Sequence, residues 1–251
     1  GVRRRQLHAA VAEAVLRRRP DAVDTLAVHF ARADDPRAGE YLRRAAERAA
    51  ALYANDAADR YYRDLVNRLD VDAARARLAH GHVLYRMGQF GRAAETLRLA
   101  IDELGRRGEE SECVLGTALL AQTLLRLGEV AEAAEVLQAH PPRTGVAAEA
   151  AANHALAWSI LLRLQGRYAE GHDAARRALS AAEEVPGAAK YGLVARAHTS
   201  QATNLGLAGR FAESRAAADR ALAPAEAYGE PTLLGAVLST LRENARRHGR
   251  L

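Results

Sequence analysis

The chain has 251 residues, and its 49% apolar content can build a substantial core, yet only 5% of residues are aromatic. An alanine-rich, aromatic-poor composition suits closely packed helices better than a β-sandwich or barrel. A lone cysteine, Cys113, excludes an internal disulfide, fits a reducing compartment and reads as a buried thiol. The formal net charge of +5 raises nucleic acid as a partner. However, every basic residue except Lys190 is arginine, and these are spread along the whole chain rather than gathered in one patch.

The first 19 residues, "GVRRRQLHAAVAEAVLRRR", are charged throughout and amphipathic, unlike a secretory signal. The longest uncharged runs, 113–125 and 150–162, fall short of the roughly 18 residues of a membrane span. A cytoplasmic protein with no membrane partner is expected. Residues 1–70 read as irregular helices. One ends near Ala33, Asp35 offers an N-cap with Pro36 in the next first turn, and Ala38, Leu42 and Ala45 share a face. Asn55 or Asp56 is expected to cap a further helix carrying Tyr61 and Tyr62.

From residue 71 one phrase recurs: a leucine-rich run, a glycine, and two residues later a large side chain. The glycines are Gly88, Gly128, Gly166, Gly209 and Gly249, about 40 residues apart. Such a period predicts a helical-hairpin array in which each unit buries its face against its neighbours. Glycine ends the first helix because the left-handed turn there costs it least. Phe90, Val130, Tyr168 and Phe211 can plug the corner. The second helix then opens on small residues (Ala93, Ala133, Gly171, Ser214) and continues its inner face at Leu97, Leu137, Ala175 and Ala218. Small side chains there let two backbones approach closely. The final unit stops at its own turn, which leads to the expectation of a longer parent protein or a covering chain.

The alternation resembles the tetratricopeptide repeat (TPR), stretched from its standard 34 residues. The resemblance implies an all-α, right-handed superhelical solenoid of helical hairpins, about thirteen helices in all, with residues 71–251 as the array and its last repeat truncated. "RRQLHAAVAEAV" together with "LAVHFARADDPRAGEYLRRAAERAAALYANDAADRYYRDLV" is similar to the segment that follows the ATPase core in bacterial signal-transduction ATPases. These include LuxR-type and antibiotic-regulatory transcriptional regulators. That resemblance implies a repeat module that senses an effector or partner, with the neighbouring ATPase domain of the parent as one partner.

Motifs for catalysis are missing. Lys190 sits in "PGAAKYG", without the surroundings of a phosphate loop. There is no G-x-S-x-G elbow, no H-E-x-x-H helix and no paired-cysteine metal site. His80 and His82, two apart, point in different directions on a helix, and His154, His172 and His198 fall on separate helices. Neither cofactor nor metal is expected, and the chain reads as no enzyme. Trp158 reads as core.

First helices of such a superhelix line its concave wall. Counting back thirteen, ten, six, three and two residues from each glycine selects the wall positions. The polar and aromatic ones are the candidate binding residues: Arg75, His82, Tyr85, Arg86, Gln122, Arg126, Asn153, Arg163, Arg196, Thr199 and Thr203. Arginine's planar fork suits carboxylates or phosphates, so a protein or peptide partner, an acidic one included, is expected in the groove. The alternative is a nucleic-acid-binding repeat that uses arginine-rich faces.

Overall fold

A computed structural model describes residues 1–69 and 73–247. Among them are thirteen α-helices and no strand. They fall into two compact units, Gly1–Arg107 and Gly108–Leu251. The boundary expected at 70–71 lies outside the described residues, as do Gly249, Arg250 and Leu251 of the expected fifth turn.

Unit 1 holds α1 (Val2–Arg18), α2 (Val23–Ala33), α3 (Ala38–Ala51), α4 (Asn55–Val66), α5 (Ala73–Arg86) and α6 (Phe90–Arg107), each packed on the next. Unit 2 holds α7 (Glu110–Leu127), α8 (Val130–Ala139), α9 (Ala148–Leu164), α10 (Tyr168–Glu183), α11 (Ala189–Leu207), α12 (Phe211–Tyr228) and α13 (Pro231–Arg247). In unit 2 the first helices α7, α9, α11 and α13 also pack in series, each on the next first helix. Side-by-side first helices give the unit one continuous face.

The glycine turns are built as expected. Gly88, Gly128, Gly166 and Gly209 all have φ between 72° and 85°. After each, the next N–H reaches back to a leucine carbonyl five residues earlier, Leu84, Leu124, Leu162 and Leu205, at 2.9–3.0 Å. This is the Schellman closure, which satisfies carbonyls the helix end would leave open. Two turns in the N-terminal quarter use the same closure without glycine. Asp34 (φ 60°) and Tyr53 (φ 55°) are left-handed, with Asp35 N–H on Phe30 O and Ala54 N–H on Ala49 O. The irregular region is therefore hairpins of the same kind with their glycines replaced.

One helix start is shifted and one capping expectation is corrected. Helix α3 is regular from Ala38, later than expected; the turn before it is tighter, with Asp35 O accepting from Ala38 N–H and the Asp35 carboxylate accepting from Arg37 N–H, both at 2.9 Å, as an N-cap does. Neither Asn55 nor Asp56 caps α4: Asn55 is already helical, and its Oδ1 is buried without a partner. Of the corner residues, Phe90 does pack edge-on against Tyr85, with centroids 5.5 Å apart. Phe211, by contrast, is exposed. The small crossing residues Ala93, Ala133, Gly171 and Ser214 are buried, as are Leu97, Leu137, Ala175 and Ala218.

The units meet their helix crossings with different chemistry. In unit 1 the buried Asp59 of α4 is 2.8 Å from His80 Nε2 of α5, and it accepts from Arg63 (2.7 Å) and from Arg92 of α6 (3.3 Å). Burial pushes this carboxyl up, but the His80 hydrogen bond and the charges of Arg63 and Arg92 outweigh it and hold the group below its ordinary value. In unit 2 the buried Ser159 hydroxyl donates to the Gly171 carbonyl at 2.7 Å, lies 2.7 Å from Ser200 Oγ and accepts from Asn204 Nδ2 at 3.0 Å. Gly171 makes room for this: a Cβ there would stand 2.4 Å from Asn204 Oδ1. At the next crossing, Ser214 Oγ lies 2.6 Å from Ala202 O and 2.7 Å from Asn244 Oδ1.

Candidate functional site

The expected wall residues divide between the two units. On α5 of unit 1, Arg75 and His82 are exposed, while Tyr85 faces Phe90. Arg86 is drawn away from an open wall: its Nη2 donates to the Ala50 carbonyl at the end of α3, 3.1 Å away, and its guanidinium lies 5.2 Å from the Tyr53 ring centroid. Helix C-termini attract cations, and this arginine caps one.

Unit 2 brings three of the expected residues together. Arg196 of α11 donates to Asn153 Oδ1 on α9 at 3.2 Å and to Gln122 Oε1 on α7 at 3.0 Å. One guanidinium thereby ties three consecutive first helices across their shared face. Gln122 and Asn153 are buried, and the amide nitrogen of Gln122, Nε2, is buried without a hydrogen-bond partner. Asn153 Nδ2 is used by its own helix, donating to Glu149 O at 2.9 Å.

Arg163 lies ten residues beyond Asn153 on the same face of α9, since ten residues make nearly three turns. It is half-buried and makes no ion pair among the described residues; burial lowers the pKa of its guanidinium. Thr199 and Thr203 turn their hydroxyls to the carbonyls of Ala195 and Thr199, which leaves the hydroxyl oxygens as acceptors. Arg126 is exposed, and Leu164 and Leu207, 54% and 40% exposed, add apolar surface at the glycine ends of α9 and α11. The face thus offers amides, hydroxyls, guanidinium groups and exposed leucines.

Some of the other arginines are neutralised by an acid three or four residues away. Arg106–Asp102, Arg107–Glu103, Arg167–Glu170, Arg210–Glu213 and Arg246–Glu243 are all pairs three or four residues apart. Among the described residues no group of three His, Cys, Asp or Glu side chains could hold a metal ion. No described helix is long and apolar enough to cross a membrane. Cys113 is buried, and burial pushes its thiol up. The Ser159–Asn204 hydrogen-bond chain spaces α9, α10 and α11 beneath the face; the sequence pattern selects small residues for the crossings but not the hydrogen bonds between them.

No protein-family model matches the chain, and no curated protein matches it. Solved structures do. BtubC (BKLC) from P. vanneervenii superimposes with a TM-score of 0.55 at 17% identity, covering 90% of this chain and 91% of that one. A Rap protein solved in complex with competence and sporulation factor gives 0.59 at 13% identity, covering 92% and 76%. The TPR2AB domain of yeast Sti1, at 0.37 and 13% identity, is too distant to carry an argument. The likeness shows the fold. It is an all-α array of TPR-like helical hairpins.

Proposed function

We propose that the chain is a non-catalytic protein-interaction module that takes a peptide or partner segment on the first-helix face of unit 2. The observation that carries this reading is the Arg196 bridge to Gln122 and Asn153, with the half-buried Arg163 on the same face of α9. Preorganised amides and guanidinium groups recognise backbone and carboxylate groups at little ordering cost. Acidic segments with apolar residues fit best, since Leu164 and Leu207 lie at the same end of their helices as Arg163. The complex of the Rap protein with its factor supports a binding role for this architecture.

The N-terminal resemblance supports a place within a multidomain bacterial regulatory ATPase or transcriptional regulator. There, occupancy of the face would shift contacts with the neighbouring ATPase domain. Arginines paired along the chain, such as Arg106, Arg167 and Arg210, gain less from phosphate, and the basic residues are spread along the whole sequence, which favours the protein partner over the nucleic-acid alternative.

Fluorescence anisotropy with a labelled peptide of alternating glutamate and leucine tests the reading. Saturable binding is expected, weakened about tenfold by Arg163→Gln, the loss of one charge-assisted contact. A folded chain that binds neither this peptide nor the ATPase domain of its parent would overturn it, as would tighter, steeply salt-dependent binding to DNA or RNA.

A further inference from the structure

The opposite face of α9 carries a second opening. Trp158 is five residues from Asn153, which places it well round the helix from the Asn153–Arg163 face. It lines a cleft of about 420 Å³ with Leu162, Ala134 and Gln138 of α8, and Gln165, Arg167, Glu170 and Arg177. That volume lies within the range of small-molecule sites, about 300–1,000 Å³.

The cleft has a local cause. Helix α8 has 10 residues, against 16 in α10 and 18 in α12. It ends at Ala139 because His140 precedes Pro141 and Pro142; a residue before proline is pushed out of the helical region, and φ −130°, ψ 64° at His140 fits that. The corresponding space in unit 1 is closed by side chains. His80 stands eight residues before its glycine, as Trp158 does, and meets Asp59 of α4, which also holds Arg92 of α6. Between α8 and α10 the Trp158 indole instead borders an open space.

The lining sets the ligand's charge. Arg167 is neutralised by Glu170, which accepts from its Nε at 2.7 Å. Arg177 is exposed and makes no hydrogen bond or ion pair among the described residues, so the lining carries one uncompensated positive charge. Indole supplies a flat apolar surface for an aromatic ring, and Gln138 supplies an amide at the rim. We infer that the Trp158–Arg177 cleft is a binding site for a small planar aromatic carboxylate, separate from the peptide face.

Trp158 is the only tryptophan, so its indole N–H gives a single cross-peak in a ¹⁵N-labelled full chain. Titration with 2-naphthoate is expected to move that peak saturably. Arg177→Gln should weaken binding about tenfold, as should replacing the probe by uncharged 2-naphthamide, each removing one charge-assisted contact. Arg176→Gln, on the neighbouring position and paired with Asp173, should leave affinity unchanged. A peak that does not move, a shift that never saturates, or equal affinity in Arg177→Gln would each overturn the assignment. Binding of the acidic peptide plays no part in this readout, so either site can fail alone.

Discussion

Unit 1 and unit 2 stack the same hairpins, yet they hold their buried crossings by different means. Unit 1 places a carboxylate at the α4–α5 crossing and surrounds it with His80, Arg63 and Arg92. It adds an arginine over an aromatic ring at Arg37–Phe30 and at Arg44–Tyr41. Unit 2 uses uncharged groups, Ser159, Ser200 and Asn204 at one crossing and Ser214 and Asn244 at the next. The buried part of the unit 1 cluster is the Asp59–His80 pair, and removing either member leaves the other's polar atom buried without its partner. Neutral ladders lose less per member but tolerate no extra volume where the backbones meet.

The largest expected effect follows from that contrast. Asp59→Ala should cost about 2–3 kcal/mol, because it leaves the buried His80 Nε2 without its partner, whereas Arg63 and Arg92, about half exposed, return to solvent. Asp59→Asn should cost clearly less, since its amide oxygen still accepts. Urea unfolding, with hydrogen exchange across α4–α6 as the local probe, checks both. If the two variants are equally stable, the charge is not what holds the crossing.

Gly171→Ala comes next, at about 1–3 kcal/mol, because the added carbon meets Asn204 Oδ1 at 2.4 Å and Ser159 O at 3.3 Å. Asn204→Ala in the same chain should relieve much of that cost, giving a coupling of about 0.5–3 kcal/mol in a double-mutant cycle. Strict additivity of the two changes would show that this contact does not set the spacing of α9, α10 and α11.

Acidification should separate the units by the groups that titrate. Burial lowers the pKa of His154 and His198 in unit 2, so the unfolded chain binds their protons first. Their contribution is present above about pH 6.5, the ordinary histidine value, and is lost as pH falls through the lowered folded values. Asp59 is likewise lowered, and its contribution is present above about pH 3.9 and lost below. Stability against pH should therefore fall in two stages, the first diminished by His154→Gln with His198→Gln and the second by Asp59→Asn. A single stage unaffected by the histidine changes would contradict this.

Arg106→Gln on exposed α6 should do least. Its partner Asp102 is as exposed as it is, and such pairs contribute little that thermal denaturation can detect.

What could be read beforehand depends on whether a local rule or a distant neighbour decides the residue. The turns at Gly88, Gly128, Gly166 and Gly209 follow from glycine's freedom at positive φ, and the small residues five positions later follow from close helix approach. The helix end near Ala33 and the helix start at Asn55 are legible, but the left-handed closures at Asp34 and Tyr53 are not, because residues other than glycine occupy that conformation there. Asp35 makes the side-chain bond expected of an N-cap, but through a tighter turn, so the regular part of α3 begins two residues later than Pro36. On the binding face, helical counting selected Gln122, Asn153 and Arg196, but their mutual contact depends on how α7, α9 and α11 are offset. Counting alone placed Arg86 on the wall, whereas the end of α3 claims it.

The uncharged ladder beneath α9 and α11 has a practical consequence for anyone weighing ligands on unit 2. Its pegs carry no ionic atmosphere, so raising the electrolyte concentration leaves the separation of Asn153 from Arg196 where it was. A dependence of peptide affinity on ionic strength then reports the encounter between guest and guanidinium groups, without a swelling scaffold mixed into the slope.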